Sequence, residues 1–165
     1  SLPHAQSNGN LNGGKQDMLE GGIKVPLFLF WDNHFKAGKK MQLSIMMDLF
    51  PTITDLAGIE TQKNRDGISL MPFVQNEKIN TERRLFWVRR EGGNYNGQSY
   101  YAARKGNIKL LQNQPFEPFQ LFDLSKDPFE KNPIDPKNHP EGLLLKKSLM
   151  EHIQMSGSIP WQQPN

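Results

Sequence analysis

The chain has 165 residues, enough for one domain with a hydrophobic core, and its 36 % hydrophobic and 22 % charged residues are typical of a globular protein rather than a disordered one. The 20 Lys and Arg residues exceed the 17 Asp and Glu residues by only three and never run longer than two, which argues against a nucleic-acid partner. Cysteine is absent, which excludes disulfides and thiolate metal sites, and no apolar run approaches the roughly 20 residues of a membrane span.

The beginning of the chain is a polar stretch, residues 1–12, that is rich in Gly and Asn and leads directly into Gly13 and Gly14. An independent domain rarely opens on such a loop, so we expect the chain to be a fragment of a longer protein. Residues 23–31 are then largely apolar, with β-branched and aromatic side chains. This composition predicts a buried strand that starts or bulges near Pro26.

The next predicted element is a helix over residues 44–57, where apolar residues recur at spacings of three and four. Ser44 is its expected N-cap and Gly58 its C-terminal stop, while Pro51 predicts either a kink or the start of a second helix. The apolar residues at positions 46, 47, 49 and 50 are expected in the core. Residues 68–74 are predicted to form a short helix.

The second half of the chain has the pattern of a small antiparallel sheet. Strands are predicted at residues 85–89, 99–104, 108–111 and 120–124, with a hairpin connection at 92–97, and an amphipathic helix at 143–153. The tail from residue 156 is predicted to be a surface extension. The fold class is therefore α/β, an α/β portion followed by an antiparallel sheet with a C-terminal helix, with domains expected at residues 1–80 and 81–165.

Four segments, in this order, resemble the sulfatase family. They are NGGKQDMLEGGIKVP (12–26), MDLFPT with LAGI (47–52 and 56–59), DGISL (66–70), and ARKGNIKL with LFDLSKDPFE (103–110 and 121–130). The family has arginine more often at position 12 and an aromatic residue at position 108, and neither departure touches Lys15.

The resemblance implies the C-terminal part of an alkaline-phosphatase-like α/β domain plus a smaller subdomain. It also implies a formylglycine nucleophile made from Cys or Ser in a C/S-x-P-x-R motif, which this chain lacks, and a calcium ion whose ligands are expected upstream of Ser1. An extracellular or periplasmic location follows from the family alone. The parent protein would then be a sulfuric ester hydrolase, and this fragment by itself would be inactive.

Lys15 is the predicted catalytic residue. An ammonium group at this position would stabilise the negative charge of a sulfate ester, and the paired glycines around it allow tight backbone turns. Without the resemblance, a lysine in a glycine-rich loop is more commonly a solvated surface residue. A phosphate-binding P-loop is excluded because the G-x-x-x-x-G-K-[ST] spacing is absent.

Other polar residues are candidates for substrate binding. His4 precedes the Lys15 segment and could line the pocket. Arg89, Tyr100 and Tyr101 flank the 92–97 connection, where an Arg fork suits sulfate and tyrosines can stack on sugar rings; ordinary cross-strand pairs are the alternative.

Several carboxylates are predicted to have structural roles. Asp17 and Glu20 are expected to cap the glycine turn or to pair with a cation. Asp123, Asp127 and Glu130 are expected to serve turn and capping chemistry.

The expected ligand is a sulfated small molecule or glycan, and the sequence does not determine the oligomeric state. Two other functions stay open. A phosphatase or phosphodiesterase of the alkaline phosphatase superfamily would need several His and Asp metal ligands, whereas this chain has four widely separated histidines. A non-catalytic carbohydrate-binding or assembly module would rely on the Arg and Tyr residues of the hairpin.

Overall fold

The computed structural model describes residues 8–60, 66–75, 82–90 and 99–157. Their helices are α1 (Glu20–Ile23), α2 (Leu49–Leu56), α3 (Met71–Val74) and α4 (Pro140–Gly157), with 3₁₀ turns at Met46–Asp48 and Pro136–Asn138. The strands are β1 (Arg84–Arg90), β2 (Ser99–Lys105), β3 (Ile108–Gln112) and β4 (Gln120–Asp123). The chain divides into two compact units, Ser1–Val25 with Arg84–Asn165, and Pro26–Arg83. The predicted domain boundary at residue 80 refers to a longer parent protein and stays a prediction.

The sheet of the first unit is an antiparallel meander with the strand order β1-β2-β3-β4. Trp87 pairs with Ala102, Ala102 with Leu111, and Leu110 with Leu121. Gly106 has a φ of +54° in the tight turn between β2 and β3, a conformation that glycine adopts without steric penalty. All four predicted strands are confirmed, to within a residue or two at their ends, whereas the predicted 92–97 connection lies outside the described residues.

The two faces of this sheet bury different partners because successive side chains of a strand point to opposite sides. On one face, Ala103, Leu110 and Leu121 pack with Leu145 and Leu149 of α4. On the other face, Ala102, Leu111 and Phe122 pack with Met18. We call the first the helix face and the second the loop face, since residues around Met18 cover it. The predicted C-terminal helix is confirmed and longer than expected, and the last eight residues lie outside the described part.

The second unit, Pro26–Arg83, is organised around a buried carboxylate. Asp48 is fully buried, accepts hydrogen bonds from the Ile45 and Ile68 amides at 2.9 and 3.0 Å, and forms a two-pronged ion pair with Arg83 at 2.7 and 2.6 Å. Asp48 therefore ties the start of α2 to the segment that leads into α3. The pKa of this carboxyl is lowered: burial alone would raise it, but Arg83 and the two amides outweigh that effect.

Three details of the predicted 44–57 helix need correction or refinement. The N-cap of its first turn is Ile45, not Ser44: the Asp48 carboxylate accepts the Ile45 amide, and the Ser44 hydroxyl donates to the Gln42 carbonyl. A 3₁₀ turn precedes α2, so a second helix begins around Pro51, as one of the two predicted alternatives stated. Gly58 ends this helix, as predicted, with a φ of +65°. The expected core stripe is wrong for this chain, since the side chains of Met46, Met47 and Phe50 are exposed.

The predicted buried strand at residues 23–31 is also wrong. Ile23 is the last residue of α1, residues 24–31 belong to no helix or strand, and Val25, Phe28 and Phe30 are 75, 87 and 89 % exposed. A strand needs a hydrogen-bonding neighbour, and in the part of the chain that is described none lies alongside this segment. In the same residues, no helix combines the length and the apolar character needed to cross a membrane.

Candidate functional site

The Lys15 loop, residues 12–22, is a compact turn built on glycine. The Gly14 amide donates to the Asp17 carboxylate at 2.7 Å, and the Asp17 amide returns a bond to the Gly14 carbonyl at 3.0 Å. This small closed turn leaves Lys15 and Gln16 exposed at its tip. Asp17 therefore caps the glycine turn, as the sequence predicted.

The second glycine pair of the loop, Gly21 and Gly22, lies where the backbone folds back against the first part of the loop and leaves no room for a side chain. The Gly21 amide donates to the Asn12 carbonyl at 2.8 Å, and a Cβ on Gly21 would lie 2.3 Å from the Gly13 carbonyl oxygen. A Cβ on Gly22 would lie 2.2 Å from the carbonyl oxygen of Asp17. Both contacts are with backbone, which cannot move aside without opening the turn. The glycines are thus a steric requirement of the turn that presents Lys15.

Replacing Gly21 by alanine is expected to lower the free energy of unfolding by about 2 kcal/mol or more, because the new methyl group overlaps backbone oxygens. Gly38→Ala is the matched control, since a Cβ there meets no atom within 4 Å. Urea unfolding of both variants checks the prediction. Equal stabilities for the two would contradict the close backbone approach.

Arg89 and Tyr100 lie on the loop face, and Arg89 contacts Gln16, the residue that follows Lys15. The Arg89 guanidinium donates to the Gln16 carbonyl at 2.5 Å and lies 4.6 Å from the centre of the Tyr100 ring. Arg89 and Tyr100 are also cross-strand partners in the register of β1 and β2. The structure therefore brings these two predicted binding residues to the tip of the Lys15 loop, and the predicted cross-strand pairing holds as well.

Tyr101 is directed to the opposite side of the sheet, where it packs against the core of the helix face. Since neighbouring strand residues alternate, Tyr100 and Tyr101 cannot both face the loop. His4 lies outside the described residues. The role of these four candidates in binding substrate stays a prediction.

Beneath the loop lies a cluster of buried charges that we call the ion cluster, formed by Glu20, Arg104, Lys109 and Glu130. The Lys109 ammonium is fully buried, 3.0 Å from a Glu20 oxygen and 2.7 Å from a Glu130 oxygen. Arg104 lies 3.2 Å from Glu20. Burial raises the pKa of the Glu130 carboxyl, and Lys109 opposes that shift. The prediction that Glu20 pairs with a cation is confirmed.

Turn and capping chemistry within the local segment is confirmed for Asp123 and Asp127, whereas the Glu130 carboxylate accepts the amide of a distant residue, Glu20 at the start of α1. Asp123 accepts the Ser125 amide at 3.0 Å, and Asp127 accepts the Asn132 amide at 2.7 Å. Glu130 also pairs with Lys109 in the ion cluster, which the sequence did not predict. The available signal was Lys109, a charged residue within an otherwise apolar strand segment, because a buried ammonium needs carboxylate partners.

A metal site does not fit the described residues, since they contain no group of three or more His, Cys, Asp or Glu side chains arranged to hold an ion. Asn8, in the stretch before the loop, instead uses its side-chain amide to bind the Gly21 carbonyl at 2.8 Å. What the site offers chemically is positive charge: one exposed ammonium and one guanidinium over an ordered backbone turn. Such an arrangement suits an anion.

Several known proteins are similar to this chain in sequence and in fold. The profile of the family described as N-sulphoglucosamine sulphohydrolase, C-terminal, matches residues 14–156, and the chain belongs to that family. Human steryl-sulfatase is 30 % identical over 96 % of this chain and 33 % of its own length. N-acetylgalactosamine-6-sulfatase of Sus scrofa is 38 % identical over 62 % of this chain and 19 % of its own length.

Among solved structures, the crystal structure of Ps i-CgsB superposes with a TM-score of 0.73 and 28 % identity, covering 86 % of this chain and 31 % of the other. These likenesses confirm the recognised family and the predicted α/β fold class. The chain spans about a third of the length of human steryl-sulfatase and of Ps i-CgsB.

Proposed function

We propose that this chain is part of a sulfatase, a hydrolase of sulfate esters, and that it contributes the Lys15 loop that binds the sulfate group. The observation that carries the proposal is the exposed Lys15 at the tip of an ordered turn, with the Arg89 guanidinium bonded to the neighbouring Gln16 carbonyl. Membership of a sulfatase family and the matching relatives support it.

The chemistry needs a fixed positive charge at this point. A sulfate monoester carries negative charge on its non-bridging oxygens, and more charge develops on the bridging oxygen as the bond to sulfur breaks. In this proposal the Lys15 ammonium donates hydrogen bonds to these oxygens, and the closed turn fixes the backbone from which its side chain extends. Such preorganised charge is commonly the largest single contribution to catalysis.

The nucleophile and the metal belong to the parent protein, by which we mean the longer protein that includes this chain. The hydrate of a formylglycine made from Cys or Ser would attack sulfur as the bond from sulfur to the bridging oxygen breaks and the alcohol leaves, and a calcium ion would supply Lewis-acid stabilisation of the sulfate oxygens. The described residues do not form the calcium site, and the role of this chain does not depend on supplying it. The exposed apolar side chains of residues 25–31 support a larger parent, because such a surface is normally covered.

A sulfated sugar is the substrate class that we propose. Ps i-CgsB, which has a TM-score of 0.72 to this chain and 28 % identity, has been solved in complex with k-i-k-neocarrahexaose. Arg89 and Tyr100 provide a guanidinium and an aromatic ring next to the loop, which suit an anionic group and a sugar face. An extracellular or periplasmic location of the parent is part of the same proposal.

The test compares the parent protein with the isolated chain on an aryl sulfate. We expect the parent to release sulfate and the isolated chain to release none, because the sequence of the chain lacks the C/S-x-P-x-R motif. Hydrolysis by the isolated chain, or a parent that cleaves an aryl phosphate in preference to the sulfate, would contradict the proposal. The coding sequence upstream of Ser1 should contain C/S-x-P-x-R and an Asp-Asn pair.

A further inference from the structure

The ion cluster has no evident part in binding substrate, since its central ammonium has no exposed surface. Burying the three charged groups of Glu20, Lys109 and Glu130 is expensive in free energy, and apolar residues of similar size commonly fill such a space at no loss of stability. The cluster therefore calls for a reason other than stability. Its connections to the Lys15 loop supply one.

Glu130 binds both ends of the loop. Its carboxylate accepts the Glu20 amide at 2.6 Å, and its backbone carbonyl accepts the Asn12 side-chain amide at 3.2 Å. Asn12 and Glu20 flank the segment that contains Lys15. A single residue, 110 positions from Glu20 and 118 from Asn12, thus sets the distance across the base of the loop.

Lys109 in turn fixes Glu130. It lies between the two carboxylates of Glu20 and Glu130 on the loop face of β3, and the rigid meander defines its position. Glu130 has a φ of +51°, so its own backbone is in a conformation that a non-glycine residue rarely adopts unless its surroundings hold it there. Without the ammonium, two buried carboxylates would repel each other directly under the loop.

We infer that Lys109, acting through Glu20 and Glu130, is a positioning residue for Lys15: it fixes the base of the loop on the sheet and thereby the place of the sulfate-binding ammonium. This inference rests on the proposed function as far as catalysis is concerned. The attachment of the loop can be tested without it. Asn113 supports the same attachment from β3's end, accepting the Met18 amide at 2.6 Å.

The test uses the double variant Lys109→Met/Glu130→Gln in the parent protein. It removes one positive and one negative charge and leaves the neutral pair of Glu20 and Arg104, so no uncompensated charge is buried. The matched control is Lys147→Met/Glu151→Gln, which removes the same charges from an exposed pair on α4. If the double variant does not fold, Lys109→Arg, which keeps the charge balance and changes only the geometry of the cation, carries the same comparisons.

The first readout is amide hydrogen exchange. In the double variant we expect the amides of residues 14–22 to exchange at least about tenfold faster, while those of β3 and α4 keep their protection. Unchanged protection of the loop would overturn the inference. Because this measurement needs no substrate, it stands even if the parent proves not to hydrolyse sulfate esters.

The second readout is a double-mutant cycle on kcat/KM for an aryl sulfate. We expect the double variant to lose about 10- to 100-fold, mainly in kcat, because small misplacements of a catalytic group have effects of this size. In a Lys15→Ala background the same change should have almost no further effect. The same fold-loss in both backgrounds would show a merely structural role and overturn the inference.

Discussion

Changing Lys15 to alanine in the parent protein is expected to lower kcat/KM for an aryl sulfate by about 100- to 1000-fold, the usual effect of removing one preorganised group that stabilises developing negative charge. The melting temperature should hardly change, because Lys15 is exposed and surface substitutions commonly alter stability by less than about 0.5 kcal/mol. Steady-state kinetics and thermal unfolding of the purified variant check both expectations.

Two further variants separate charge from side-chain loss. Lys15→Arg keeps the positive charge and should retain more activity than Lys15→Ala, though below wild type, because the guanidinium is larger and its donors are fixed in a plane. Lys24→Ala removes an exposed lysine just beyond the loop and should leave kcat/KM unchanged. A Lys15→Ala enzyme with wild-type kinetics would refute the assigned role.

Glycan binding that survives Lys15→Ala but is lost in Arg89→Ala would favour a non-catalytic carbohydrate-binding module.

The second large effect is expected from Asp48→Ala. The substitution leaves Arg83, whose side chain is 7 % exposed, without its carboxylate, and it also leaves two amides without an acceptor. Breaking a buried ion pair by removing one partner destabilises proteins by about 3–5 kcal/mol. Urea unfolding should show a loss of this size, confined to the unit of residues 26–83 if the two units unfold separately.

The matched control for this change is Asp55→Ala on α2, whose carboxylate is exposed and bonded only to Ser69 in the described contacts. It should cost less than about 1 kcal/mol. If Asp48→Ala cost no more than Asp55→Ala, the buried pair would not stabilise this unit.

Acid should reproduce the effect of Asp48→Ala on the wild-type protein. The folded state lowers the pKa of Asp48, so its contribution is fully present above the ordinary pKa of 3.8 and is lost as the pH falls towards the lowered value. The difference in stability between wild type and Asp48→Ala should therefore shrink below pH 3.8. A difference that stays constant on acidification would mean that another group is responsible.

Local pattern was enough to predict the sheet and the last helix. Strands β1 to β4 follow from short runs of β-branched, aromatic and aliphatic residues between turn residues, and α4 from its apolar spacing. These elements bury their apolar faces against each other within the chain, as Leu110 and Leu145 do. The predicted elements form there because the sheet and α4, which pack against each other, are both part of this chain.

The hydrophobic pattern gave wrong predictions for apolar segments that have no surface to pack against among the described residues. Residues 24–31 and the apolar side chains of Met47 and Phe50 have the composition of buried elements, yet they are exposed here. The composition of a segment indicates whether its side chains are suited to a buried environment. Whether the segment forms a strand depends on a neighbouring strand with which it can form hydrogen bonds. The polar side of the 3₁₀ turn and α2, with Asp48 and Thr52, is what packs instead.

The sequence by itself determined the Lys15 loop: glycines at positions 13, 14, 21 and 22 permit the close backbone turns, and the resemblance to sulfatases identified Lys15. Only the tertiary structure showed what holds that loop. Lys109 and Glu130 are 89 and 110 residues from Glu20, and their pairing depends on strand register and on one left-handed residue. A charged side chain in a sequence gives no sign of its partner, because the partner is chosen by burial, which exists only once the chain has folded.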